Sequence, residues 1–379
     1  MHLTITQEES YDKLDLFISN YIQNYSSKRN FDFGPKHRTN VSQMSPYISH
    51  RILTEYDVIR RVLQKKSYRS VEKFIQEVFW RLYWRGWLET RPRVWKDFLG
   101  DLKSLEKNKN YYNAIEGLTD IECFNHWVKE LKENGFLHNH TRMWFASIWI
   151  FTLNLPWQLG AEFFLKYLSD ADSASNTLSW RWVAGIQTKG KHYLAKNWNI
   201  EKFTNGKFSP ARLNENAAPI SDSRNYTFSK INYSGLETDS EYIVMFENEL
   251  NTDFLDNRNY KHVYFCLLNN DERQVEISQN NMIYKESVVD NLTKVGTYNI
   301  RKINGSQLVL LVQSNDNVHL VYPGVGDNLD FLDKNQISNA NSFIRRKEDL
   351  FCSQFSNKGF FNFKKNIPRI INELSLSKL

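Results

Sequence analysis

The stretch Ser169–Gly190, SDADSASNTLSWRWVAGIQTKG, sets short hydrogen-bonding side chains directly against two tryptophans. Asp170, Asp172 and Ser173 read as a helix start, because a short acceptor there satisfies the first free backbone N–H groups. Capping leaves Asn176, Thr177 and Ser179, all within about a turn of Trp180, without a task. A packed core has no use for them, and a solvated loop has none for two indoles. The stretch therefore reads as one wall of a pocket, carried on a helix, for a flat, phosphate-bearing heteroaromatic ligand.

The surrounding half of the chain agrees. All eleven tryptophans fall between Trp80 and Trp198, and residues 1–208 carry 30 Lys and Arg against 22 Asp and Glu. Residues 209–379 carry 19 against 21 and no tryptophan. A basic, Trp-rich half followed by a near-neutral one marks a domain boundary. FSPARLNENAAPISDSRN (208–225) reads as the connection. The expected organisation is a helical domain over 1–208, a linker over 209–232, and a small α/β domain with C-terminal helices over 233–379.

Helical periods fill the first half. SVEKFIQEVFWRLYWRGWL (70–88) spaces Phe74, Val78, Trp80, Leu82, Trp84, Trp87 and Leu88 mostly by threes and fours, ending before Pro92. DIECFNHWVKELKENG (120–135) is amphipathic and stops at its glycine. Residues 142–168 are apolar almost all round and broken at Pro156, which predicts a buried core segment. In the second half, YIVMF (242–246), HVYFCLL (262–268), QLVLLV (307–312) and VHLVY (318–322) read as strands, with a helix over 281–295 between the second and third. That order predicts a parallel sheet. The tail, 358–379, reads as one basic helix.

Several function classes drop out. There is no phosphate-binding glycine loop, no nucleophile elbow and no His-Glu-x-x-His motif. Cys123, Cys266 and Cys352 lie far apart, which predicts reduced thiols in a cytoplasmic protein and argues against zinc or a four-cysteine cluster. His138 and His140 flank Asn139 with no further ligand at metal spacing. The longest apolar run, Met143–Leu155, is too short to span a bilayer, and the N-terminus lacks a signal pattern. Trp80, Trp84 and Trp87 form a stripe beside Arg81 and Arg85. Such a stripe is either core or a platform on which a base stacks.

Four segments in order, SQMSPYI (42–48), EVFWRLYWRGWL (77–88), GFLHNHTRMWFAS (135–147) and DADSASNTLSWRW (170–182), resemble the FAD-binding helical domain of the photolyase/cryptochrome family. The likeness covers roughly residues 25–205, and its spelling is nearest the short bacterial photolyase-like branch. The resemblance implies FAD as cofactor. Ser42, Met44 and Ser45 would grip its diphosphate, Arg142 and Asp170 would form the ion pair beside its ring, Asp172 would accept from its polar edge or the ribityl chain, and Asn176 would face N5. Phe74, Glu77, Arg81, Phe136 and Asn139 complete the implied contact set.

The same resemblance implies light-driven repair of ultraviolet-induced pyrimidine dimers in single- or double-stranded DNA by a monomer. The alternative is a blue-light photoreceptor of cryptochrome type. Trp80 and Trp182 would sandwich the flipped dimer, Glu77 and Asn139 would hydrogen-bond it, Met143 would pack on it, and Trp180 then Trp157 would relay electrons. Without a clear catalytic histidine pair, cyclobutane dimers are expected over (6-4) products. The sequence departs from the family pattern at two places. Asn125 stands where an aspartate is usual, and the outermost relay position falls near Ser104, leaving Tyr111, Tyr112 or Trp149 as substitutes. The motifs begin almost at the start, so the second half is expected to be an antenna-like domain in circularly permuted order.

Overall fold

The computed structural model describes residues 3–230, 239–255, 260–295, 298–337 and 343–377. Residues 231–238, where the expected linker ends and the third unit begins, lie outside the described residues, as do 378–379 of the tail. The class is helical followed by α/β, as expected.

The Trp stripe lies on the 22-residue helix Tyr68–Glu89. Pro92 caps the following helix, Arg93–Ser104, where its missing N–H costs nothing. Glu122–Asn134 ends on Gly135 at φ 61°, a left-handed conformation that glycine adopts without strain. The apolar run divides into a helix Asn139–Ser147, a π-helical turn Ile148–Thr152, and a helix Trp157–Tyr167 capped by Pro156. Ser173–Ala184 and Asn197–Phe203 follow. Trp95, Trp127, Trp144, Trp149 and Trp180 are fully buried in one core, which is why this half tolerates so many indoles.

The second half is a five-stranded parallel sheet, order β3-β2-β1-β4-β5, with β1 Tyr242–Phe246, β2 His262–Cys266, β3 Ile300–Ile303, β4 Val318–Val321 and β5 Phe343–Ile344. Val244 pairs with Tyr264 on one side and Leu320 on the other, so β1 is central and buried on both faces. The parallel sheet is what the permuted reading required. The run 307–312 is not a strand. It lies in the helix Gly305–Gln313, where Asn304 and Gln307 exchange hydrogen bonds in a capping box. The third strand is the preceding IRKI, whose middle two residues are exposed at the sheet edge. The tail also departs from expectation. It forms two short helices, Phe360–Lys364 and Ile367–Glu373, because Pro368 starts a new helix.

The C-terminal helices return to the first half. Lys347–Ser353 packs across Tyr68–Glu89 at Gly86, where an added Cβ would sit 2.6 Å from Ser356 Oγ and 3.2 Å from the Ser353 backbone. Phe360, Phe363 and Ile367 share a core with Phe74, Phe79 and Tyr83, and with the β1–β2 face carrying Met245 and Phe265. The two halves are therefore joined by apolar packing.

Candidate functional site

Three segments meet around Asp170. The turn 40–45 has Gln43 at φ 54°, buries Met44 and leads into the helix Ser45–Ser49. The Ser42 hydroxyl accepts from Met44 N at 3.4 Å. Ser49 Oγ donates to the Asp170 carbonyl at 3.1 Å, which pins this turn to the loop before Ser173. At the start of Asn139–Ser147, Arg142 donates to the Leu137 carbonyl and, at 2.9 Å, to Asp170 Oδ2. Its guanidinium also lies 5.3 Å from the Phe136 ring centre. Asp170 is buried, which pushes its carboxyl up, but the Arg142 charge and hydrogen bond, with Arg81 and Ser45, outweigh burial and hold it below the usual range.

Asp172 has both oxygens engaged. Oδ1 accepts from Ser175 N at 2.7 Å as the N-cap of Ser173–Ala184, and Oδ2 accepts from Arg81 at 2.8 Å. Asn176 is buried and fixed by donating to the Ala161 carbonyl at 2.9 Å. The two neighbouring tryptophans take different surroundings. Trp180 is 2% exposed among Phe145, Trp149 and Phe164, whereas Trp182 is half-buried and stacks on Tyr193 with centroids 5.9 Å apart. Trp157 lies against Phe98 at 5.6 Å.

On the helix Tyr68–Glu89, Phe74 is buried and Glu77 sits 3.6 Å from Arg29 and 3.5 Å from Lys73. Trp80 is half-buried. Phe360 stacks on one of its faces, centroids 3.5 Å apart. Asn139 is exposed and Met143 half-buried. Beneath Asn139 lies a buried group that sequence reading missed. Asp32 accepts from Arg38 at 3.0 Å and from Thr141 Oγ1 at 2.5 Å, and Arg38 also reaches Glu130. His138 is fully buried there, its ring lowered to about 4 chiefly by burial. The signal was available in the tail and the 30–40 segment: GFFNF carries Phe360, and FDFGPKHR carries Asp32 and Arg38.

These residues fit a flavin nucleotide. Asp170 Oδ1, Arg81 Nε and Asn40 Oδ1 are buried polar atoms with no protein hydrogen-bond partner. Unpaired buried polar atoms cost free energy unless something else satisfies them. A group with a diphosphate and a hydrogen-bonding ring edge does so. A cavity of about 120 Å³ lies beyond the C-terminal ends of the adjacent strands β1 and β4, lined by Asn248, Arg273 and Asp327 and by Ser49 and Asp172. Among the described residues, no helix is long and apolar enough to cross a membrane.

Comparison with known proteins gives a consistent answer. Residues 74–211 match the family described as the FAD binding domain of DNA photolyase. The chain is 25% identical over 187 residues to a deoxyribodipyrimidine photo-lyase of Vibrio cholerae, covering 47% of this chain and 39% of that protein. It is 30% identical over 150 residues to that of Streptomyces griseus, covering 39% and 33%. It thus spans well under half the length of these relatives. Among solved structures, a bacterial class III photolyase from Agrobacterium tumefaciens overlays at TM-score 0.46 with 25% identity, over 53% of this chain and 43% of that one. A Synechocystis cryptochrome overlays at 0.46 with 24% identity over the same shares.

Proposed function

We propose that residues 74–211, which match the FAD binding domain of DNA photolyase, hold FAD, and that the chain repairs ultraviolet-induced pyrimidine dimers in DNA under light. Reduced FAD, when bound, would supply a light-driven one-electron donor for opening the dimer. The observation that carries this reading is the buried Arg142–Asp170 pair with Asp170 Oδ1 left unpartnered.

Arg142 and Asp170 orient the polar ring edge, with Asp170 kept ionised by its guanidinium neighbours. Ser42 and Ser45 offer short hydroxyl donors to the diphosphate. Asn176, held by Ala161, presents a fixed amide near the ring. Trp182 and the face of Trp80 away from Phe360 supply indole surface for extruded bases, since chemistry on a stacked base needs it flipped out. Glu77 and Asn139 offer hydrogen bonds to the base edges. The net positive charge of the first half attracts the phosphate backbone, so binding weakens as salt rises.

The test is illumination of the full chain, loaded with reduced FAD, together with an oligonucleotide containing one cyclobutane dimer. Light-dependent loss of the dimer is expected, with dark controls unchanged. Flavin uptake with the dimer intact after illumination overturns repair in favour of a blue-light photoreceptor. One observation favours that second reading: Phe360 already fills one face of Trp80.

A further inference from the structure

We propose that the C-terminal segment 354–369 is a nucleic-acid surface, in which Phe361 stacks on a base beside the extruded dimer and Lys358 and Lys365 hold the neighbouring phosphates. This rests on the repair reading above. The segment is placed for the task, because its buried ring Phe360 lies face to face with Trp80.

The short helix Phe360–Lys364 sorts its rings by depth. Phe360 and Phe363 are 7% and 0% exposed in the core shared with Phe79 and Tyr83. Phe361 is 83% exposed, more than any other large apolar side chain among the described residues. Its Cα lies one peptide unit, about 3.8 Å, from that of Trp80's stacking partner. Folding gains little from a phenyl ring left in water, whereas a strand leaving the Trp80 site would meet it first.

A second exposed ring joins the same surface. Phe228, 48% exposed, lies 5.6 Å from the Arg91 guanidinium. Arg91 also sits 4.5 Å from the Trp87 ring centre and donates to the Asn357 carbonyl at 2.8 Å. It thereby ties the indole stripe of Tyr68–Glu89 to the residue just before Lys358. Trp80, Trp84 and Trp87 are each half-buried, so the stripe is neither wholly core nor a free platform.

The charge of the segment has one sign. Residues 354–369, QFSNKGFFNFKKNIPR, hold four basic residues and no acidic one. Arg369 is 4.0 Å from Glu373, but among the described residues Lys358 and Lys365 are exposed and pair with no carboxylate. A membrane-surface helix needs a long apolar face, and this one has a single ring. One aromatic ring between unpaired ammonium groups suits a strand of nucleic acid. The ring stacks on any base, and the lysines meet phosphates as point charges. Extruding the dimer costs the next base a stacking neighbour, and Phe361 replaces it.

Binding is measured in the dark on the full chain loaded with FAD, using two probes. One is a thymine cyclobutane dimer as the bare dinucleotide, and the other carries the same dimer at the centre of a ten-nucleotide single strand. The parent should bind the longer probe more tightly, and Phe361→Ala should narrow the ratio of the two affinities about tenfold. Phe361→Leu should narrow it almost as much, and Phe361→Trp should keep it. For the longer probe, the slope of log affinity against log salt should become shallower by about 0.7 for each of Lys358→Gln and Lys365→Gln. All three sites are exposed, so melting temperatures should stay at the parental value. A parental ratio in Phe361→Ala or in Phe361→Leu overturns the stacking role, and an unchanged salt slope overturns the phosphate contacts. A parent that binds neither probe overturns the repair reading, and the surface with it.

Discussion

Trp80 and Phe360, 280 positions apart in the sequence, lie face to face with ring centroids 3.5 Å apart and planes 12° from parallel. The contact makes the C-terminal segment the back wall of a site carried by the first half. Phe360 is 7% exposed, so Phe360→Ala should lower stability by about 3 kcal/mol, through lost burial and lost stacking. With its backing gone, Trp80 should turn away and bind a dimer-containing oligonucleotide more weakly, while flavin content stays at the parental level. Tighter oligonucleotide binding by Phe360→Ala would mean that the covered face is the functional one. Urea denaturation and fluorescence titration check the two halves of this prediction.

Arg142 and Asp170 form a pair whose loss should register in cofactor content first. Asp170→Asn leaves a guanidinium without its counter-charge in a mostly buried place, and should cost about 3 kcal/mol. The folded carboxyl lies below its unfolded value, so the pair's contribution is complete above the ordinary carboxylate pKa of about 4. It fades only as pH falls through the lower folded value. The gap between Asp170→Asn and the parent should therefore be flat from neutral pH down to that region and narrow below it. Thermal melts at stepped pH measure it.

Much of this site was legible in the sequence, because its chemistry lies in local motifs. Asp172 had to cap a helix whatever else it did, and Arg142 and Asp170 carry their charge in short, readable stretches. What stayed hidden was tertiary. Nothing near Trp80 announces Phe360, and the segment joining Asp32 to Thr141 spans 109 positions. The β3 misreading has a different cause. An apolar run of six residues fits a strand or a buried helix equally well, and the deciding signal was the Asn304–Gln307 capping box just before it. The true strand, IRKI, lies at an edge and shows charged side chains to water, which hides it from any hydrophobicity pattern.

His50 gives the protein an acid-sensitive seam. Its ring nitrogens lie 3.0 Å from the Glu247 carbonyl of the sheet and 2.9 Å from the Ser169 carbonyl of the loop before Ser173, and the neutral ring donates to one of the two. Burial, then the Lys285 ammonium, lower it to about 4. The unfolded ring titrates at about 6.5, so the unfolded chain gains a proton first as pH falls. Stability from this group is complete above 6.5, is lost progressively between 6.5 and 4, and then levels off. His50→Gln should flatten that slope, measured as melting temperature against pH. An unchanged slope in the variant would place the acid sensitivity elsewhere, with His138 the next residue to replace.

Arg51 ties three segments together from a single buried position. Its guanidinium reaches Glu249 at 3.0 Å, Asp349 at 2.7 Å and Glu55 at 3.6 Å, and Tyr56 also donates to Asp349. Burial pushes the Asp349 carboxyl up, but Arg51 beside it outweighs that and leaves it well below the usual range. Arg51→Met strands Glu249 and Asp349 with less counter-charge, and should cost about 3–5 kcal/mol. Because these carboxylates belong to the sheet half and the C-terminal helix, the loss should fall on their docking. Urea unfolding of the variant should then show two transitions where the parent shows one. Adding Asp349→Leu removes one stranded charge and should recover part of the deficit, because the penalty lies in the unpaired carboxylate more than in the missing ion pair. A double variant no more stable than Arg51→Met would assign the loss to packing around the Arg51 stem.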